Sequence, residues 1–193
     1  MATPRRLLEL YVQAKDSVQP QLMRQIYAPD AVLTYSIATD SISFPARTVG
    51  LAAITRTLVV DFAARFERCK TYYVCDAPPA DAAEFACIPW LVVMHEPAAG
   101  NLRIGKGYYE WSFTQPASVV AMHIHIDRMD AIPDANSSLL LSAQKDLPYP
   151  WLQPSVLRST YQRCIDASIA LAFLCEFQTP LDVPARYKTP PRS

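Results

Sequence analysis

Two segments of alternating polar and apolar residues stand out in the middle of the chain. Residues 103–114 read RIGKGYYEWSFT, residues 118–129 read SVVAMHIHIDRM, and Gln115, Pro116 and Ala117 separate them. Alternation with period two predicts two β-strands joined by a tight turn. The same signals predict four more strands, at Ala31–Ile37, Ser41–Thr48, Cys69–Ala77 and Glu84–His95.

Apolar residues recur at helical spacing in four other segments. The predicted helices are Pro4–Val18, Pro20–Tyr27, Gly50–Arg68 and about Pro154–Phe177. Helices and antiparallel strands in this order predict an α+β fold.

The turn at Pro116 sets the register of the two long strands. A two- or four-residue turn centred on Pro116 and Ala117 pairs residues whose numbers sum to 233. Both faces of the strand pair are then chemically matched. One face pairs aromatic with aliphatic residues: Tyr109–Ile124, Trp111–Met122 and Phe113–Val120. The other face is polar and pairs Glu110–His123, Tyr108–His125 and Lys106–Asp127.

Composition narrows the classes of function. The chain has 193 residues, 51% of them hydrophobic, which is enough for a substantial core. The formal net charge is zero and no basic run is present, so we expect no nucleic-acid partner. Five cysteines without a C-x-x-C pair favour free thiols in a reducing compartment. With neither a signal peptide nor an apolar run of about 20 residues, we expect a cytoplasmic protein with no membrane partner.

Three segments resemble the NTF2-like superfamily and, within it, the SnoaL-like polyketide cyclase group. They are IYAPDAVLTY from Ile26, GLAAITRTL from Gly50 and VAMHIHIDRMDAI from Val120, and the similarity covers roughly Thr3 to Ile132. The resemblance implies a cone, in which a curved, mainly antiparallel sheet wraps around a long helix and leaves a pocket. It further implies isomerase, dehydratase, cyclase or epoxide hydrolase activity, or plain ligand binding, and dimerisation through the outer sheet face.

The chain after Pro133 departs from that family. We predict a domain of residues 1–133, then residues 134–193 with a linker, the apolar helix at about 154–177 and a proline-rich tail. Little polar surface remains on this helix after Ser168, so it must be buried on more than one side. We expect it on the outer sheet face or at a subunit interface, and a lid across the mouth of the cone is the alternative.

The apolar face of the sheet supplies the candidate ligand-binding residues. In a cone, that face is concave and faces the long helix, with a pocket between them. The predicted ligand-binding residues are Tyr35, Trp90, Tyr109, Trp111 and Met122. Tyr11 is a further candidate, because ketosteroid isomerases of this superfamily use a tyrosine on a helix.

The polar face carries the candidate catalytic residues. His123 with Glu110 or Asp127 forms an acid–base pair if this face lines the pocket. The other interpretation is a cross-strand pairing set on the outer face. Zinc needs three or four ligands. Residue 128, which follows His123, His125 and Asp127, is arginine and cannot add a ligand to them, so we expect no metal. We also expect no cofactor.

Two functions remain from the sequence. The first is binding of a small hydrophobic molecule in an apolar pocket, with isomerisation, dehydration or cyclisation by acid–base chemistry as the associated reactions. The second is a non-catalytic dimeric interaction module whose cavity is filled by side chains. The sequence leaves open whether the protein is an enzyme.

Overall fold

Seven strands form one curved sheet in the order β2-β1-β6-β5-β4-β3-β7. The computed structural model describes residues 2–185. The strands are β1 Tyr27–Ile37, β2 Arg47–Val49, β3 Glu67–Val74, β4 Phe85–Glu96, β5 Asn101–Phe113, β6 Val119–Pro133 and β7 Trp151–Leu152. The β1–β6 and β3–β7 pairs are parallel and the other pairs are antiparallel. The predicted α+β class is therefore confirmed.

The helices are shorter and more varied than the periodicity predicts. They are α1 Pro4–Asp16, a 3-10 helix Pro20–Gln25, α2 Leu51–Thr55, a π-helical turn Arg56–Val60, α3 Asp61–Ala63, α4 Ser138–Gln144, α5 Pro154–Ala167 and a 3-10 helix Ile169–Phe177. The helix predicted from Gly50 to Arg68 ends at Ala63.

The strand predicted at Ser41–Thr48 is mostly a loop, and only Arg47–Val49 pairs with β1. Pro45 has no N–H to donate to a strand ladder. Ser41 bonds sideways instead, since its hydroxyl donates to the carbonyl of Met129. Residues 38–46 thereby cross the inner side of the sheet as a loop.

The predicted register is confirmed for the centre of the long hairpin, where Tyr108, Tyr109, Glu110 and Trp111 have the expected partners. It is wrong at both ends, and two bulges are the reason. The pairs there are Lys106–Arg128 and Phe113–Val119. At the first bulge, a Cβ on Gly107 would collide with the carbonyl oxygen of His125. Glycine permits this close approach, and Asp127 becomes the extra residue of β6.

The inner face of the sheet packs against α1 and the π-helical turn. Nine residues of the inner face form an apolar wall that is buried in this core: Ile88, Trp90, Val92, Met94, Tyr109, Trp111, Phe113, Met122 and Ile124. Trp111 is fully buried and meets Tyr11 of α1 edge to face at 5.0 Å between ring centroids.

A second core lies on the outer face of β3, β4 and β5, under the C-terminal segment. The sheet contributes Tyr72, Val74, Leu91, Val93, Leu102 and Ile104, and the C-terminal segment contributes Leu140, Ala143, Leu147, Leu152, Leu157, Tyr161, Leu171, Leu174 and Phe177. The segment thus occupies one of the two positions expected for it, the outer face. On the outer face, Leu91 and Val93 are buried in this core, whereas Tyr108 and His125 are half-buried outside it.

The predicted single helix at about 154–177 is wrong, because the chain breaks at Ser168. That residue is extended, with φ −157° and ψ 126°, and a 3-10 helix follows it. A 3-10 helix has three residues per turn, so side chains at i and i+3 align. Leu171, Leu174 and Phe177 follow this spacing and are all buried, whereas Ile169 is 90% exposed. The 3-10 spacing therefore places these three residues on one side, against the outer core.

The linker joins the two sides of the molecule. β7 adds a strand beside β3, with Tyr73 opposite Trp151. The Trp151 indole donates to Glu9 of α1 at 3.0 Å, and the Tyr149 hydroxyl donates to Asp16 at 2.9 Å.

Within the described residues, no helix is long and apolar enough to cross a bilayer. The predicted proline-rich tail reaches past Ala185, and residues 186–193 lie outside the described residues.

The packing of the second 3-10 helix is tested by comparing two apolar residues within it. Leu174→Ala should cost about 2–5 kcal/mol of unfolding free energy, because it opens a cavity in the outer core. Ile169→Ala should change the stability by less than about 0.5 kcal/mol, because this side chain already faces solvent. Urea unfolding of both variants measures this. Equal losses would show that the helix does not dock as described.

Candidate functional site

A small apolar cavity lies between the inner face of the sheet and the helices. Its free volume is about 50 Å³, enough for about three or four waters. The lining residues are Tyr11, Lys15, Tyr35, Ile42, Phe44, Leu58, Phe62, Trp90, Val92, Met94, Tyr109, Ile124, Ile126 and Met129. Leu58 belongs to the π-helical turn, an irregularity that often accompanies functional sites.

The loop of residues 38–46 closes one side of the cavity. Phe44 of this loop stacks on Tyr35 with ring centroids 4.8 Å apart and planes parallel within 1°. The loop is anchored at Ser41, whose carbonyl accepts from the buried Arg103 guanidinium. Arg103 is in turn held by Glu96 at 3.5 Å. Phe44 is thus a covering side chain on an anchored loop.

Three polar atoms of the lining residues are buried without a partner. Within residues 2–185, the Tyr11 hydroxyl, the Tyr35 hydroxyl and the Trp90 indole N–H have no hydrogen-bond partner. Burial raises the pKa of Tyr35, and the nearby Lys15 opposes this only in part. The phenol therefore stays protonated and can donate. A buried donor left unsatisfied costs about 1–3 kcal/mol, so the cavity contains three groups that a ligand oxygen would satisfy.

A buried ion pair forms the charged end of the cavity. The Lys15 ammonium lies 2.7 Å from Asp16 Oδ1, and the two side chains are 5% and 3% exposed. It also lies 3.2 Å from Cys69 Sγ and 4.5 Å from the centre of the Phe62 ring. Burial works against the charge, but Asp16, together with Cys69 and Tyr11, outweighs it and raises the pKa of Lys15. Burial, reinforced by Asp16, raises the pKa of Cys69 to about 12, so this thiol stays protonated.

Asp16 connects the cavity to the sheet and to the linker. Its carboxylate accepts from the Thr71 backbone N–H at 2.6 Å, from the Thr71 hydroxyl at 3.0 Å and from Tyr149 at 2.9 Å. Together with Lys15, these donors satisfy a carboxylate that would be costly to bury alone.

Three of the five predicted ligand-binding residues line the cavity: Tyr35, Trp90 and Tyr109. The other two, Trp111 and Met122, are buried in the core behind it. Met122 Sδ accepts from the Tyr27 hydroxyl at 2.9 Å. Tyr11 also lines the cavity, with its ring 5.9 Å from that of Tyr109, in the position that the resemblance suggested.

The candidate catalytic residues His123, Glu110 and Asp127 are not among the cavity-lining residues. In the register of the sheet, His123 and Glu110 pair on the face opposite the cavity. His123 bonds to Thr34 and Ser36 hydroxyls, each at 2.8 Å, and Ser36 continues to His125 at 2.7 Å. Burial lowers the pKa of His125, against the opposing effect of nearby Asp127 and Glu110. In the part of the chain that the structure describes, no group of three or more His, Cys, Asp or Glu could hold a metal.

Sequence reasoning did not find Lys15, Phe44 and Phe62. The sequence does contain an indication that Lys15 faces the pocket, because it follows Tyr11 by four residues and lies on the apolar stripe of α1. Phe62 stood on the apolar face of the predicted long helix without being assigned to the pocket. The sequence contains no indication that Phe44 is buried, since a loop has no periodicity from which burial can be inferred.

Comparison with known proteins identifies the architecture. A ketosteroid isomerase-like protein of Catenulispora acidiphila, solved with trimethylamine, matches with a TM-score of 0.50 and 13% identity, over 64% of this chain and 85% of its own. An NTF2-like protein of Burkholderia thailandensis matches with a TM-score of 0.51 and 14% identity, over 67% of this chain and 92% of its own. The chain has the NTF2-like fold.

A third NTF2-like match is RV0760c of Mycobacterium tuberculosis, solved with estradiol-17β-hemisuccinate. Its TM-score is 0.50 and its identity 12%, over 64% of this chain and 93% of its own. No protein-family model matches the sequence, and no curated protein is similar to it. The NTF2-like fold accounts for about two thirds of the chain.

Proposed function

We propose that the protein binds a small, flat, hydrophobic molecule carrying one hydrogen-bonding oxygen. The observation that carries this proposal is the set of unpartnered donors, Tyr11, Tyr35 and Trp90, in a cavity with apolar walls. Ligand pockets are typically apolar with a few placed polar groups. Two solved structures with the same fold contain small molecules, estradiol-17β-hemisuccinate and trimethylamine, which supports the proposal.

Entry of such a ligand requires the cavity to enlarge. About 50 Å³ is below the several hundred Å³ typical of ligand pockets. Phe44 is the side chain whose movement would provide the space, since it belongs to a loop and only stacks on Tyr35. Side-chain rearrangements on this scale are common on binding.

The cavity favours binding over acid–base catalysis. Catalytic acids and bases have pKa values near the working pH. Among the described residues, no carboxylate or imidazole lines the cavity. Burial raises the pKa of Tyr35, and Asp16 keeps Lys15 charged despite its burial. We therefore assign no reaction to the cavity, and membership of the SnoaL-like group stays a prediction.

The role of Tyr35 is tested with 2-naphthol, a flat aromatic molecule with one hydroxyl. Tyr35→Phe should weaken its binding about five- to tenfold, the effect of one hydrogen bond. Tyr72→Phe is a matched control, because Tyr72 is also buried with an unpartnered hydroxyl but lies in the outer core. Quenching of tryptophan fluorescence reports the affinities. Absence of binding, or an equal effect of both substitutions, would contradict the proposal.

A second candidate function is supported by the part of the outer sheet face that lies beside the outer core. We define this polar outer face by Thr34, Ser36, Tyr108, Glu110, His123 and His125, with Val49 and Phe85 at its edges. Val49 is 47% exposed and Phe85 is 40% exposed, and the rings of Tyr108 and His125 stack at 4.7 Å. An aromatic centre with apolar edges suits a protein contact. A homodimer through the polar outer face, with a filled cavity, is therefore the alternative.

Sedimentation velocity tests the dimer. The wild-type chain should sediment with twice the monomer mass, and Tyr108→Glu should give monomers because it places a desolvated charge at the centre of the contact. Leu141→Glu is the control, since Leu141 is 55% exposed on α4 and away from the polar outer face. A monomeric wild-type chain would remove this candidate.

A further inference from the structure

A surface groove adjoins the cavity on the far side of two aromatic rings. Its volume is about 140 Å³, and it is lined by Ser43, Phe44, Pro45, Thr57, Asp61, Phe62, Arg65 and Phe66. Phe44 and Phe62 line the cavity as well. These two rings are therefore the partition between the cavity and the groove.

The groove differs from the cavity in its polar groups. It has two hydroxyl residues, Ser43 and Thr57, and an exposed guanidinium, Arg65. Asp61 is its only carboxylate among the described residues, and it is paired with Arg56 at 3.4 Å. Arg65 lies against the Phe66 ring, 5.0 Å from its centre. The three charged groups, Arg56, Asp61 and Arg65, sum to one positive charge at the rim.

We propose that the cavity and the groove are the two halves of one binding site for a flat apolar molecule with an anionic end. The apolar body enters the cavity when Phe44 moves, and a carboxylate on a short tether remains in the groove beside Arg65. A guanidinium binds carboxylates with planar, paired donors. The neighbouring hydroxyls supply further donors. This inference rests on the proposed function, because it extends the same cavity.

The surroundings of Lys15 explain why the ligand's carboxylate is placed in the groove and not in the cavity. Lys15 stands over the Phe62 ring and is already paired with Asp16, so its charge is neutralised and offers little attraction to an anion within the cavity. The groove's cation, Arg65, is exposed to solvent, and the described residues place no buried carboxylate beside it. An anion there keeps part of its hydration and adds the attraction of Arg65.

A matched pair of probes tests the inference: 2-naphthoxyacetate, which has the carboxylate, and its neutral primary amide. The wild-type chain should bind the carboxylate more tightly. Arg65→Gln should weaken carboxylate binding about two- to fivefold, the strength of an exposed ion pair, and leave amide binding unchanged. Arg65→Glu should have a larger effect in the same direction. Arg158→Gln, on α5 beyond the sheet, changes the net charge equally and should have no effect.

The outcomes separate the two proposals. Binding of both probes with equal affinity, or with a preference that survives Arg65→Glu, would overturn the anionic end while leaving the cavity as a ligand site. Binding of neither probe would overturn both. Phe44→Ala provides a second test, because removing the ring that separates the cavity from the groove should increase the affinity for both probes. Unchanged affinities in that variant would show that cavity and groove do not form one site.

Discussion

The buried ion pair between Lys15 and Asp16 is the interaction on which the rest of the structure depends. It stands where α1, β3, the linker and the cavity meet, because Asp16 accepts from Thr71 and Tyr149 while Lys15 covers Phe62. Loss of one partner from a buried pair costs about 3–5 kcal/mol, since the other charge is left uncompensated. The two charges of this pair cancel at the inner end of the cavity. The uncharged donors of the lining are therefore the groups left to contact a ligand.

The second constraint is that the middle of the sheet is apolar on both faces. In β4, Trp90 and Val92 face the helices while Leu91 and Val93 face outward, and all four are buried. A sheet of this kind needs a cover on each side, so the C-terminal segment is part of the fold. Its described part covers the outer face of β3, β4 and β5.

The sequence predicted those parts of the structure that depend on alternation and on matched pairs. The sheet, its register at Tyr109 and the buried wall follow from side chains that must face one way or the other. The bulge at Gly107 did not follow, because it depends on how closely β6 approaches. The break at Ser168 depends on the shape of the surface beneath. Phe44 depends on a loop held by Ser41 and Arg103, contacts that are far apart in sequence, so no local pattern records them.

The central claim is that the cone and its C-terminal segment form one cooperative unit joined through Asp16. Hydrogen exchange with mass spectrometry at increasing urea tests this by following peptides from β4 and α5 together. The account predicts that both become labelled over the same urea range, and that Asp16→Asn moves both to lower urea by the same amount. Labelling of α5 well before β4 in the wild-type chain, or an Asp16→Asn variant in which neither range moves, would contradict it.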